Sequence, residues 1–420
     1  MKTTSSYKVS CSAVEQAAKR LKNVAVKTPL QPSVRLSKKY NSHILLKRED
    51  LQQVRSYKIR GAYNKISQLS DKEIHNGIVC ASAGNHAQGV AYACNKLKIK
   101  GAIFMPFPTP RQKIEQVKMF GGDCISVILF GDNFDEAKAH AMRVCKKNNQ
   151  LFVHPFDDEK IIEGQATIAL ELLEQSEKPI DFLFVPVGGG GLAAGITGVF
   201  SVLSPQTKII GVEPEGAASM FAAIKNNKVI ELPKIDRFVD GAAVKKVGQL
   251  TFDVCKENLS DIVTVPEGLT CQIILELYNK DAIVVEPAGA LSIAALDYFK
   301  KEIKDKNVIC LISGSNNDIT RTAEIKERAL LYAGLKHYFI VRFPQRAGAL
   351  KEFVAEILGP TDDITHFQYT KKHHKENGPA VVGIQLKAKE DLEQLIKRMK
   401  VKNFYGDYLN DKPDLFEFLV

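Results

Sequence analysis

Four short segments of this 420-residue chain hold residue types that could do chemistry together. The first is Ser56-Tyr57-Lys58-Ile59-Arg60-Gly61, whose lysine opens a run with helical spacing through Ala62, Ile66 and Leu69. A cation near a helix N-terminus opposes the helix dipole. That placement lowers the proton affinity of the amine and favours the free base needed for Schiff-base chemistry. A lone lysine is far more often a solvated surface group, so Lys58 needs support from the other three segments.

Ser82-Ala83-Gly84-Asn85-His86-Ala87-Gln88-Gly89 follows a β-rich run and precedes the apolar helical pattern of Val90, Ala91, Ala93 and Leu97. Small residues at such a turn let backbone N–H groups approach a carboxylate or phosphate, and Asn85 and His86 add directed contacts. Taken alone, the segment reads equally well as a capped loop. The third segment is Gly188-Gly189-Gly190-Gly191-Leu192, again between a strand and a helix. Four consecutive glycines cost much chain entropy and suit a backbone wrapped around a phosphate at a helix start. No Gly-Lys-Ser/Thr ending follows, and no register gives Gly-x-Gly-x-x-Gly with an acidic residue beyond it, so a phosphate is expected and a dinucleotide is not. Ser313-Gly314-Ser315-Asn316-Asn317-Asp318 is an ordinary turn by itself, but it too ends a strand, where ligands of parallel sheets collect. A candidate amine and three small-residue loops outline a site for a phosphate-bearing aldehyde cofactor.

Positioning these loops requires a sheet scaffold, and the sequence supplies one. Apolar β-rich runs at 44–46, 77–81, 102–105, 125–129, 182–187, 208–212 and 307–312 alternate with helical patterns, which predicts an α/β fold of parallel sheets covered by helices. Capping boxes at Ser12 with Glu15 and at Ser70 with Glu73 mark two helix starts. After Arg328 the order changes to strand 337–343, helix 349–358, strands 364–370 and 380–386, helix 389–399 and a last strand 404–408. That order predicts a smaller α+β unit of ferredoxin-like type. The expected domains are therefore 1–330 and 337–420.

Composition narrows the partners. Net charge is +10, but nine of those charges fall in the first 336 residues, where lysines are scattered among acids like a solvated surface. The dense patch Lys371-Lys372-His373-His374-Lys375, followed by Asn377-Gly378-Pro379, reads as a hairpin tip, so no nucleic-acid partner is expected. Eight cysteines without a Cys-x-x-Cys pair read as reduced, mostly buried thiols. The N-terminus has no apolar stretch behind it, and the most apolar segment, 182–200, is broken by six glycines and a proline. Neither export nor membrane spanning is expected, and the chain reads as cytoplasmic.

With these motifs in this order, the sequence resembles the fold-type II pyridoxal 5′-phosphate (PLP) enzymes. Among them it is most similar to the short threonine dehydratases that carry one ACT-like regulatory domain. The resemblance spans nearly the whole chain and rests on Lys-Arg-Glu-Asp at 47–50, Ser-x-Lys-x-Arg-Gly at 56–61, Ser-Ala-Gly-Asn-His-Ala-Gln-Gly at 82–89, the tetraglycine, Glu286-Pro-Ala-Gly-Ala and Ser313-Gly. It implies that Lys58 binds PLP and acts as the base, and that Asn85 contacts the cofactor 3′-oxygen. Ser82, Gly84, Asn85 and His86 would surround the substrate carboxylate. Gly188, Gly189, Gly190, Gly191 and Leu192 would hold the phosphate, and Ser313, or Ser315 two residues on, would face the pyridine nitrogen.

The implied activity is deamination of L-threonine, with isoleucine first and valine second as effector and a homotetramer or homodimer as the assembly. Serine dehydration, serine racemisation or a β-replacement on the same scaffold is the nearest alternative. A non-catalytic regulator that binds a phosphate ligand is a second. Two departures stand out. Ser219 occupies a position where some relatives carry a metal-binding aspartate, so no metal is expected, and Ala347 replaces a proline typical of the regulatory unit.

Overall fold

The computed structural model describes residues 7–369, 376–412 and 414–416. The 371–375 patch and the first six residues lie outside that range. The chain divides into two compact units, Met1–Ile319 and Thr320–Val420.

The first unit holds two sheets. In the larger, the strand order is Leu30–Pro32, His43–Arg48, Asn307–Ile312, Phe182–Pro186, Lys208–Pro214 and Asp261–Val265. All neighbours in it run parallel except the first pair. The smaller sheet is wholly parallel, in the order Ile125–Leu129, Gly101–Met105, Ile78–Ala81, Leu151–Phe152. Strands Phe182–Pro186, Asn307–Ile312 and Ile78–Ala81 are buried at every residue, because helices cover both faces of a parallel sheet. The seven β-rich runs of the sequence all became strands. Leu30–Pro32, Leu151–Phe152 and Asp261–Val265 were not anticipated: two are too short to show a pattern, and the third, at a sheet edge, sets an acid and a threonine among three apolar residues.

Separate apolar clusters support the two sheets. One joins Ile162, Leu183, Val185, Ile196, Phe200 and Leu311, and another joins Ile78, Cys80, Val90, Ile103 and Val117. The Ser70–Glu73 capping box forms as predicted. At the first helix, however, Ser10 is the cap, its hydroxyl accepting the Ala13 N–H at 3.4 Å, so Ser12 lies inside the helix. Six cysteines are buried and Cys11 and Cys124 are partly so, none of them in a disulfide. Among the described residues no helix is long and apolar enough to cross a membrane.

The second unit is an antiparallel sheet in the order Asp363–Tyr369, Asn377–Gln385, Lys336–Pro344, Tyr405–Tyr408, with the first and third strands of the unit adjacent at its centre. Its core packs Phe339, Val341, Phe343, Phe353, Met399 and Phe404. Asn377, Gly378 and Pro379, expected in the hairpin tip, instead pair with Pro344, Phe343 and Arg342. Helix Ala349–Glu352 continues into a π-helical turn over Phe353–Ile357 and starts at Gly348, whose φ of +84° no side chain adopts easily. The division at residue 319 precedes the expected limit of 330. Helix Thr322–Tyr332 goes with the second unit, since Glu327 accepts hydrogen bonds from Lys336 Nζ and the Tyr338 hydroxyl at 2.5 and 2.6 Å.

Candidate active site

A cavity of about 480 Å³ opens in the first unit where strand ends meet helix starts. Lys58, Ser82, Gly84, Asn85, His86 and the tetraglycine with Leu192 all line it.

Lys58 is the first residue of helix Lys58–Ile66. Its Nζ donates to the Pro155 carbonyl at 3.0 Å, and it lies 5.3 Å from the Tyr57 ring centre. Burial drives the amine down to about 8, against an upward pull from Glu286. Removal from water is thus what frees the amine. Two backbone pairings place this lysine: Ser56 bridges Gly314, and the Tyr57 N–H donates to the Ser313 carbonyl at 3.2 Å. The first and fourth motifs are therefore one local structure.

Behind Lys58 stands a buried ionic cluster that gives the Lys-Arg-Glu-Asp motif its purpose. Arg60 donates to both Glu49 oxygens at 2.9 and 2.8 Å, to both Glu171 oxygens at 2.6 and 3.0 Å, and to Thr167 Oγ1 at 3.1 Å. Lys47 Nζ reaches Glu171 at 2.5 Å, Gln175 at 2.9 Å and the Thr28 carbonyl at 2.7 Å. Two cations and two carboxylates balance, so the helix bearing Lys58 is locked to strand His43–Arg48 with its buried charges compensated.

The tetraglycine turns from strand Phe182–Pro186 into the 13-residue helix Gly191–Leu203. Added Cβ atoms would fall 2.9 Å from Ala242 backbone at Gly188, 2.2 Å from the Phe156 ring at Gly189, and 3.0 Å from the Phe156 carbonyl at Gly191. Gly190 caps the helix at φ +90°. Thr251 Oγ1 pins the Gly189 carbonyl at 2.7 Å. The bare backbone and the unpaired N–H groups of the helix start fit a phosphate, as the free amine of Lys58 fits an aldehyde.

Helix Asn85–Leu97 begins after strand Ile78–Ala81, with Ser82 Oγ accepting the Gly84 N–H at 3.2 Å. The Asn85 amide is held on both sides, donating to Glu286 Oε1 at 2.6 Å and accepting from Asn316 Nδ2 at 2.7 Å. The His86 ring is engaged by Val153, with Nε2 donating to its carbonyl at 3.1 Å. Burial lowers the His86 pKa to about 3, so the ring is neutral and its backbone N–H is what it can offer an anion. Ser313 is buried and Ser315 Oγ donates to the Asp50 carbonyl at 3.2 Å. Of this loop, Asn316 lines the cavity, and Ser313 and Ser315 do not.

Sequence reasoning missed the segment His154-Pro155-Phe156-Asp157. His154 Nδ1 accepts the Asp157 N–H at 2.8 Å, Pro155 meets Lys58, Phe156 packs on Gly189, and Asp157 accepts the Gln249 and Leu250 N–H groups at 3.0 Å each. Its position at the end of strand Leu151–Phe152 was the available signal. Glu286 was noted only as part of a motif. Glu213 uses its carboxylate to accept the Met220 and Phe221 N–H groups at 2.8 and 2.7 Å. Among the described residues no group of three or more His, Cys, Asp or Glu is arranged to hold a metal.

Comparison with known proteins agrees with this geometry. Residues 21–314 match the family model of pyridoxal-phosphate-dependent enzymes, and residues 327–419 match the C-terminal regulatory domain of threonine dehydratase. The chain is 55% identical to the biosynthetic L-threonine dehydratase of Halalkalibacterium halodurans over 96% of its own length and 97% of that relative. Among solved structures, it is similar to the processed form of threonine deaminase isoform 2 from Solanum lycopersicum, with TM-score 0.72 and 38% identity over 77% of this chain and 96% of that one. A maize serine racemase gives TM-score 0.71 and 29% identity, covering 78% and 99%.

Proposed function

Because the chain belongs to the pyridoxal-phosphate-dependent enzymes and carries a threonine dehydratase regulatory domain, we propose that it deaminates L-threonine to 2-oxobutanoate and ammonia, the entry step to isoleucine. The observation that carries this reading is a partly buried lysine amine and a four-glycine helix start that line one cavity. Bound pyridoxal phosphate supplies an aldehyde and a conjugated ring that takes up negative charge from Cα. Lys58 Nζ would hold the cofactor and, once the substrate's amino group takes its place and frees it, would remove the Cα proton. The N–H groups of Gly188 to Leu192 hold the phosphate. Ser82, Gly84, Asn85 and the His86 backbone receive the substrate carboxylate at the start of helix Asn85–Leu97. The neutral partner for the ring nitrogen would be Ser313, with Ser315 as the second choice, at the strand end whose loop brings Asn316 to the cavity.

Incubating the purified protein with L-threonine, L-serine and O-acetylserine and assaying 2-oxo acids tests this reading. L-Threonine is the expected best substrate by kcat/KM. A preference for L-serine, or interconversion of serine enantiomers, would favour the serine racemase-like alternative that the maize structure resembles. A colourless protein with no turnover would favour a non-catalytic, phosphate-binding regulator.

We assign the second unit an amino-acid effector, isoleucine first and valine second, in a cytoplasmic homotetramer or homodimer; the match to a threonine dehydratase regulatory domain supports the regulatory role. Its own apolar core and closed ferredoxin-like order support a separable regulatory role. Ending the chain at Ile319 should leave L-threonine turnover and remove inhibition by isoleucine, read from initial rates across an isoleucine titration. Unchanged inhibition in the truncated form would refute the assignment.

A further inference from the structure

Glu286 stands out as a buried carboxyl in the cavity to which the mechanism above gives no task. It caps helix Pro287–Ala294, and Pro287 at the first helical position fixes the approach. Its backbone N–H donates to the Gly314 carbonyl at 3.1 Å. Two glycines shape the wall around it: a Cβ on Gly314 would lie 2.6 Å from Glu286 Oε1, and one on Gly241 would lie 3.4 Å from the same atom. A backbone that makes room for a carboxylate at two distant points in the sequence is built around that carboxylate.

Its contact is specific. Glu286 Oε1 accepts from Asn85 Nδ2, while Asn316 donates to Asn85 Oδ1. A carboxylate can only accept, so the Asn85 amide has one orientation, with its second N–H left for another acceptor. Glu286 also acts on Lys58, raising its proton affinity. The other titratable groups facing Lys58 are Cys80, Tyr57, His86 and His154. Burial keeps all four neutral near pH 7, pushing the thiol and phenol up and the two imidazoles down to about 3 and 4. Around Glu286 itself the charged groups are Asp240 and Lys113, which form an ion pair with each other, and the donors are Asn85 and the Asn316 N–H. Burial, then Asp240, raises the Glu286 carboxyl to about 7.

We propose that Glu286 is a positioning residue with two separable effects: its oxygen orients the Asn85 amide toward the cofactor, and its charge, in the lining of the same cavity, draws the Lys58 amine back toward its protonated form. The proposal rests on the reading that Lys58 carries pyridoxal phosphate. Glu286→Gln keeps an acceptor for Asn85 and removes the charge, whereas Glu286→Ala removes both. In the full-length protein freed of cofactor, acetylation of Lys58 by a pulse of acetic anhydride is followed by mass spectrometry across pH. The midpoint for Glu286→Gln should lie roughly one pH unit below that of the unmodified protein. Equilibrium binding of pyridoxal phosphate should stay near the parent value in Glu286→Gln. It should weaken about tenfold or more in Glu286→Ala and in Asn85→Ala, with the double variant no worse than either single one. An unchanged Lys58 midpoint in Glu286→Gln, or parental affinity in Glu286→Ala, overturns the proposal. If the parent protein takes up pyridoxal phosphate on no lysine or a different one, the failure lies with the proposed function instead.

Discussion

Lys58→Ala is expected to lower turnover of L-threonine by about a thousandfold or more, since the covalent anchor and the base are lost in one change. Borohydride treatment of the parent holoprotein should leave the reduced cofactor on the Lys58 peptide, and the variant should carry none. The fold should survive, because the amine makes a single hydrogen bond, to Pro155, and its removal relieves the cost of a buried cation. The physical basis is its surroundings. A solvated lysine is almost wholly protonated at neutral pH and cannot act as a base, whereas burial brings Lys58 down to about 8 and gives an appreciable free-amine fraction. A Lys58→Ala protein that keeps its colour and its turnover would remove Lys58 from the mechanism.

Breaking the cluster behind that lysine has a different signature. Arg60→Leu should destabilise the protein by about 3–5 kcal/mol at pH 7, the usual cost of stranding a buried charge. Glu49 and Glu171 would then face Lys47 alone. Burial by itself would raise the Glu49 carboxyl, but the Arg60 guanidinium, Lys47 and the Thr28 hydroxyl outweigh it and hold the group below its ordinary 4.5. A carboxyl whose folded pKa is depressed stabilises the fold above its unfolded value and loses that contribution as pH falls through the folded one. The penalty of Arg60→Leu should therefore shrink in acid, where a protonated Glu49 no longer needs the guanidinium. Urea unfolding of both proteins at pH 7 and in the acid range measures this directly. A loss under about 1 kcal/mol at pH 7 would show that the cluster is not what braces the Lys58 helix.

The two variants separate chemistry from support within one motif. Lys58 and Arg60 lie two residues apart on the same short helix. One faces the cavity and the other is sunk among carboxylates. Residue type alone does not distinguish them, as both are cations in a conspicuous motif, and the carboxylates that claim Arg60 come from strand-end and helix positions elsewhere in the chain.

The sequence by itself determined the strand-and-loop plan and the cofactor chemistry, because those depend on local requirements: apolar runs for strands covered on both faces, glycine where a backbone must wrap an anion, a lysine for an aldehyde. The element order from Lys336 onward was readable too, while the division itself falls at residue 319. Tertiary structure alone decided the use of individual side chains. His86, in the most legible loop of all, gives its ring to Val153; Glu286 meets Asn85 across the cavity; Ser56 pairs with Gly314. Each of these contacts joins residues brought together only when the sheets assemble, and a hydrogen bond needs its partner within about 3 Å, which no local pattern encodes.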